Sequence, residues 1–380
     1  MKVDLAIRGG RVIDPATGLD REGTVLVSDK RILAIEAPDS TVEAERVIDA
    51  RGLLVLPGLI DLHAHCFVGE TRLGLPPDRI GVQQGVTTVV DAGSSGVDNL
   101  LRFRESVGGA RTRVLAYINL ARDGLARHRG ELADPRMLAP DETVEALGAH
   151  GDFLVGVKAR ASASVVGDQG IGPVRLAKET ARRAGVPLMV HIGNAPPRLE
   201  EVLELLEAGD IVSHAFHGKK GGIYRDGTLL PEARAALERG VLFDVAHGQA
   251  SFSYETCRRF LADGLMPHII SSDLWRGNET GPVISLLHCM SKLLHLGMPL
   301  REVVAATTWR PAVALRRQHE IGSLAPGRIA DISIIRQVRG EFPLQDSEGV
   351  TEVVSSLLEP VMTIRHGDIV GDIDPGGISA

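Results

Sequence analysis

Cysteine is scarce in this sequence. Cys66, Cys257 and Cys289 are odd in number and widely spaced, which argues against a disulfide framework and for a reducing, cytoplasmic setting. Long apolar runs are missing too, and no stretch approaches the length of a membrane span. Met1-Lys2-Val3-Asp4-Leu5 lacks the apolar segment of a secretory signal. Basic clusters are absent and the net charge is −7, so nucleic acid is not expected as a partner. Aromatic residues make up only 3%, against 43 glycines, a balance that suits closely packed strands and helices.

What is present is apolar and strongly patterned. The 380 residues are 44% hydrophobic, ample for one large domain with a small one beside it. Residues 1–56 read as short strands. Val3–Arg8 alternates, Gly9-Gly10 is expected to turn into Arg11-Val12-Ile13, and Ser28-Asp29-Lys30 is expected to close a hairpin between Thr24–Val27 and Arg31–Ile35. From Pro57 the pattern changes to short apolar strands alternating with amphipathic stretches such as Gly172–Ala184, Arg198–Ala208 and Pro231–Arg239. The strands expected are Gly58–His65, Val86–Asp91, Arg113–Ile118, Leu154–Lys158, Pro187–His191, Asp210–His214, Val241–Val245 and His268–Asp273. Eight strand–helix units in about 250 residues is the count of a (β/α)8 TIM barrel. After about Ile321 short strands return, at Ile329–Ile335, Val350–Ser355 and Pro360–Arg365. The expected organisation is α/β: a barrel over 57–320 and a small β-sandwich built from both chain ends, 1–56 and 321–380. The last segment, Asp372–Ala380, contains glycine and proline and is expected to be loose.

Barrel enzymes work at the C-terminal ends of their strands. Here those ends carry His63, His65, Lys158, His191, His214 and Asp273, each closing an apolar strand. Strand alternation sends His63 and His65 to the same side. One such residue is unremarkable, since buried histidines and aspartates are often hydrogen-bonded core groups. Six on five strands of one barrel point to a site. Four imidazoles and a carboxylate suit two divalent ions of the zinc type. Lysine is a poor ligand as a cation, but burial beside metal ions leaves a free amine. A free amine takes up carbon dioxide as a carbamate, an anionic bridge.

With Gly58-Leu59-Ile60-Asp61-Leu62-His63-Ala64-His65, the strand-end Lys158, His191, His214 and Asp273, and the tail string Gly322-Ser323-Leu324-Ala325-Pro326-Gly327-Arg328-Ile329-Ala330-Asp331, the chain resembles the binuclear amidohydrolase superfamily over nearly its whole length. The resemblance implies that His63, His65 and Asp273 hold the more buried metal, and His191 and His214 the second. It implies zinc, or manganese, and a carboxylated Lys158 bridging both ions. It implies a bridging hydroxide as nucleophile and Asp273 as the base. Dihydroorotases of this superfamily show His-x-His-x-Arg, and Phe67 stands at the arginine's place. Deaminases carry an acid soon after the fourth-ligand region, and Ala215-Phe216-His217-Gly218 has none. The strings Gly85–Ser94 and Phe243–Gly248 are similar to a deacetylase-like subgroup often labelled dihydroorotase. Hydrolysis of an acyl bond in a small, carboxylate-bearing substrate is therefore expected, with cyclic amide hydrolysis (hydantoinase or dihydroorotase type) as the alternative. A non-catalytic oligomeric scaffold is the reading outside enzymes. A homo-oligomer is expected in either case.

Arg160 lies two residues past Lys158 and is expected to face the same mouth, able to bind a carboxylate bidentately. His217 and His247, just beyond two strands, are candidate donors to a substrate, and Tyr117 with Asn119 could polarise its carbonyl. Asp61 is expected beneath the site, Cys66 on the opposite face from His65, and Lys219–Gly222 in a surface loop. His128, His150, His288, His295, His319 and His366 lie away from strand ends and read as ordinary.

Overall fold

The computed structural model describes residues 2–126, 130–372 and 378–379. His128 and most of the segment Asp372–Ala380 lie outside them. Strands β1 (Val3–Asp14), β2 (Leu19–Ser28), β3 (Arg31–Glu36), β4 (Ala44–Asp49) and β5 (Leu54–Pro57) come first. Strand β6 (Leu59–Ala64) opens a second sheet with β7 (Val86–Ala92), β8 (Arg113–Asn119), β9 (Leu154–Ala161), β10 (Leu188–Ile192), β11 (Ile211–Ser213) and β14 (Leu242–Asp244). Between the last two lies a small hairpin, β12 (Tyr224–Arg225) and β13 (Thr228–Leu229). Strands β15 (Ile332–Gln345), β16 (Thr351–Arg365), β17 (Asp368–Asp372) and β18 (Ile378–Ser379) end the chain.

The second sheet is parallel and ordered β14-β11-β10-β9-β8-β7-β6. In place of the expected eighth strand, His268–Asp273, the segment makes single parallel bridges, Ile269 to Asp244 and, one residue past the expected end, Leu274 to Ala64. Those bridges join both edges of the sheet and curl it into a TIM-barrel form. Inside lies an apolar layer from successive strands, including Ile60, Val90, Leu115, Val155, Met189, Ile211 and Ile269. Such layers fill a barrel rather than leaving a pore. The helix Gly172–Ala184 matches its expected span; Pro sits at its start and Gly185, at φ 65°, ends it.

Both chain ends share one nine-stranded sheet, because β15 pairs antiparallel with β5 and β5 parallel with β1. Two expectations for this sheet need correction. Gly9-Gly10 is not a turn but a bulge inside one long strand, where the register jumps from Ile7↔Val25 to Gly10↔Gly23. Glycine at φ 71° lets the strand absorb the extra residue. Val350–Ser355 and Pro360–Arg365 belong to a single strand, β16, whose register with β15 shifts near Pro360. The turn between β2 and β3 holds as expected, with Asp29 and Lys30 both at positive φ, 50° and 63°.

The terminal sheet grips the barrel at both ends. At its base Ser333 Oγ donates to Gly85 O at 2.6 Å, and Arg113 pairs with Asp331. At the other end the β15–β16 turn reaches the loop after β14, where Ser347 Oγ donates to Gly248 O at 2.8 Å. No helix among the described residues is long and apolar enough to cross a membrane.

Candidate metal centre

The strand ends bring the six sequence candidates to one place. His63 Nε2 and His65 Nε2 lie 3.5 and 3.3 Å from the same atom, Asp273 Oδ1. His214 Nε2 lies 4.0 Å from Asp273 Oδ2. His63, His214 and Asp273 offer ligand atoms all within 4.8 Å of one another. Lys158 Nζ stands 3.4 Å from His63 Nε2, and the rings of His191 and His214 are 4.2 Å apart between centroids. Strand β6 carries an extra residue between Asp61 and Ala64, a bulge of the kind that re-aims side chains near sites.

Burial decides the charge of these groups. It pushes the His63 and His191 imidazoles well below their ordinary pKa and His214 down to about 3, so all three are neutral, as ligation requires. Lys158 is pushed down to about 7 by burial, against the pull of the Asp273 carboxylate. Its amine is therefore free in a large fraction near neutral pH. His214 Nδ1 meets the Ala246 carbonyl at 2.7 Å, yet its Nε2 is buried without a hydrogen-bond partner. Such an orphan costs roughly 1–3 kcal/mol unless something satisfies it. Neutral imidazoles, a carboxylate, an uncharged amine and an orphaned ring nitrogen together fit divalent ions of the zinc class.

Backbone strain and close approach mark the same spot. His214 and Asp273 hold φ at 67° and 50°, a left-handed conformation that L-residues rarely adopt. A Cβ on Gly93 would stand 2.7 Å from the Lys158 side chain, and one on Gly248 would stand 2.5 Å from Asp273 Oδ2. Both positions need glycine because the ligands pack against bare backbone.

The profile of the amidohydrolase family matches residues 81–370, well over half of the chain, and a second amidohydrolase family profile matches residues 46–111. The chain belongs to the amidohydrolase family. Among its relatives is a protein named deacetylase from Enterococcus faecalis, 36% identical over 97% of this chain and 99% of that one. A deacetylase of Agrobacterium fabrum is 38% identical over 86% of this chain and 80% of its own. A solved structure titled as an adenine deaminase superposes with a TM-score of 0.92 at 35% identity, covering 97% of this chain and 100% of that one. One titled as a dihydroorotase reaches 0.89 at 33% identity, covering 97% and 99%. This amidohydrolase is thus a hydrolase acting on carbon–nitrogen bonds. Its family generally binds divalent metal ions with a carboxylated lysine.

Around these candidate ligands the amidohydrolase places a ring of supports. His63 Nδ1 lies 3.2 Å from Ser213 Oγ and His65 Nδ1 lies 3.0 Å from Ser94 Oγ, which leaves each Nε2 turned toward Asp273. Asp244 accepts from Ser271 Oγ at 2.7 Å and from Ser213 Oγ at 3.3 Å; burial raises its pKa to about 7. Asp61 accepts from the Ser272 amide at 3.0 Å, underneath Asp273. Cys66 turns to Asp91, 3.6 Å away. Sequence reasoning gave no role to Ser94, Ser213 or Asp244. Asp244, which closes β14 as Asp273 closes its segment, was the legible signal among them.

The four substrate-side candidates separate. Arg160 reaches the mouth, but its Nη1 lies 3.4 Å from Glu131, a fully buried carboxylate that sequence reasoning missed. His217 lines a cavity beside the centre. Two expectations are corrected. His247 has both ring nitrogens engaged, Nδ1 3.0 Å from Gly248 O and Nε2 2.8 Å from the buried Lys292 Nζ. Tyr117 is fully buried within the apolar barrel layer with Met189 and Ile211, below the ligands. Asn119 is occupied by backbone, donating to Gly93 O and accepting from the Ala121 amide.

Proposed function

We propose that this amidohydrolase removes an acyl group, held as an amide or ester, from a small carboxylate-bearing substrate, acting as a deacetylase. The observation that carries this reading is the gathering of His63, His65 and His214 around Asp273, with His191 and the buried Lys158 beside them. His63, His65 and Asp273 are assigned to one ion, His191 and His214 to a second, and a carboxylated Lys158 to both. Zinc is the first choice for this nitrogen-rich set and manganese the second. When bound, such ions supply a Lewis acid for a carbonyl and acidify water to a pKa of about 7. Asp273 Oδ2 is the atom placed to accept the proton of the attacking water and return it to the departing amine or alkoxide. Its side chain keeps 14% of its exposure, so it is open to substrate where the histidines His63 and His214, at 1%, are not.

The choice of deacetylase over its neighbours rests on two positions. Phe67, where dihydroorotases carry arginine, is buried and packs on Phe103 at 4.8 Å between ring centroids, so it cannot hold a carboxylate. The residues after His214 include no acid of the kind deaminases use. Relatives named deacetylase, at 36% and 38% identity, support the same reading. Purified enzyme loaded with zinc or manganese should be screened against N-acetyl amino acids, O-acetyl hydroxy acids, hydantoins, dihydroorotate and adenine. Turnover is expected with an acetylated acid, and at least about a hundredfold lower kcat/KM with dihydroorotate. Efficient turnover of dihydroorotate, a hydantoin or adenine alone would overturn the substrate assignment while leaving the metal chemistry standing.

We also read the terminal sheet as a small β-sandwich over residues 1–56 and 321–380, flanking the barrel at 57–320. Leu5, Val27 and Ile48 share one core with Ile334 and Ile364 from the other chain end, as two facing layers would. A fragment ending at residue 320 should be insoluble, since it would bare that core. A soluble, metal-binding fragment would contradict the reading.

A further inference from the structure

A cavity of about 170 Å³ lies beside the metal centre, walled in part by His217, Lys219, Tyr224, Arg259 and Glu348. That leaves room for one end of a small organic acid. Its charged groups are not equivalent. Arg259 pairs with Glu255 at 3.2 Å and lies over the Tyr224 ring. Glu348, exposed at the tip of the β15–β16 hairpin, sets its carboxylate against the backbone of Gly218, and among the described residues it forms no ion pair with Lys219. Lys219 is half-buried, and among the described residues its ammonium has no hydrogen bond or ion pair. Lys219 lines the cavity five residues past His214, and its charge is felt by Asp273, His191, His214 and His217.

His217 complements it. The backbone N–H of Lys219 donates to His217 Nδ1 at 3.1 Å. A neutral ring that accepts at Nδ1 carries its proton on Nε2. That Nε2–H is buried without a partner, in a residue only 2% exposed. A donor without an acceptor and a cation without a counterion therefore sit two residues apart on one loop. Both lack the same thing, an anion. Arg160 does not line this cavity, and its Nη1 faces the buried Glu131 at 3.4 Å.

We propose that Lys219 and the Nε2–H of His217 form the anchor for the substrate's carboxylate, holding it in this cavity while the acyl bond lies at the metal centre. The proposal rests on the carboxylate-bearing substrate class proposed above and adds the residues that select it.

The test uses metal-loaded full-length enzyme and has two arms. In the first, lysines are labelled with an amine-directed acylating reagent and read site by site by peptide mass. Benzoate should slow labelling of Lys219 at least about fivefold, the neutral analogue benzamide should not, and exposed Lys220 should be unaffected by either. In the second arm, an acetylated acid and its primary amide are compared as substrates. Lys219→Met should raise KM for the acid at least about tenfold with little change in kcat, leave the amide unchanged, and match wild type in metal content. Lys220→Met should behave as wild type. Equal labelling of Lys219 with and without benzoate would overturn the anchor, as would a Lys219→Met variant that weakens acid and amide alike. Shielding by benzoate without turnover of any acetylated acid would sink the deacetylase assignment and leave the anchor standing.

Discussion

Replacing Lys158 with alanine is expected to remove at least one metal ion per chain and to lower kcat/KM by about a thousandfold or more, a loss of about 4 kcal/mol in transition-state stabilisation. The reason lies in its surroundings. Lys158 is 1% exposed, with Met189 Sδ at 3.3 Å and His63 Nε2 at 3.4 Å, and among the described residues no carboxylate forms an ion pair with it. A charged ammonium gains little there and an anionic carbamate gains a great deal once cations are present. Short carboxylic acids, added to the alanine variant, should restore part of the metal content and part of the rate by filling the vacated space. The wild-type pH dependence follows with a definite sign. The amine reacts with carbon dioxide only when unprotonated, so bicarbonate-assisted metal uptake by stripped protein should rise between about pH 6 and 8, through the Lys158 pKa of about 7. Full metal content and activity in Lys158→Ala would remove the bridge from the account.

Asp273→Asn is the second large effect. Asparagine keeps the shape but cannot hold a proton at neutral pH, so kcat should fall by about a hundred- to ten-thousandfold, the usual range for a general base. Substrate affinity should change little, because the carboxylate anchor lies elsewhere. The strained φ of 50° at this position is one that asparagine tolerates, so folding should survive the exchange. Stopped activity with retained substrate binding and retained thermal stability is the expected pattern. An Asp273→Asn enzyme with wild-type kcat would strip Asp273 of the proton-transfer role.

The centre was legible because it is written in strand ends. A buried parallel strand reads as an apolar run, and a histidine, lysine or aspartate closing it stands out against that run. Helix Gly172–Ala184 was legible for a similar reason, with punctuation at both ends. What stayed hidden depends on depth and on distant partners. Tyr117 closes a strand as expected of a site residue, but nothing local says that it lies in the apolar layer below the candidate ligands. His247 finds its partner in Lys292, 45 residues further on, so the sequence around it could not reveal that both nitrogens are taken. Glu131 sits in a loop with no periodicity to betray a fully buried carboxylate. Lys219 looks like any lysine before glycines until the fold turns it toward Asp273. The same limit applies to β16, one continuous strand paired to β15 along most of its length, which the sequence splits in two.

The most direct test of the account is the metal content of purified full-length protein, measured by elemental analysis after expression with added zinc or manganese. About two equivalents of a divalent ion per chain are expected, falling to about one or fewer in Lys158→Ala. A fully folded protein holding less than about half an equivalent of any such ion, under conditions that include bicarbonate, would contradict the two-metal centre on which the proposed chemistry depends.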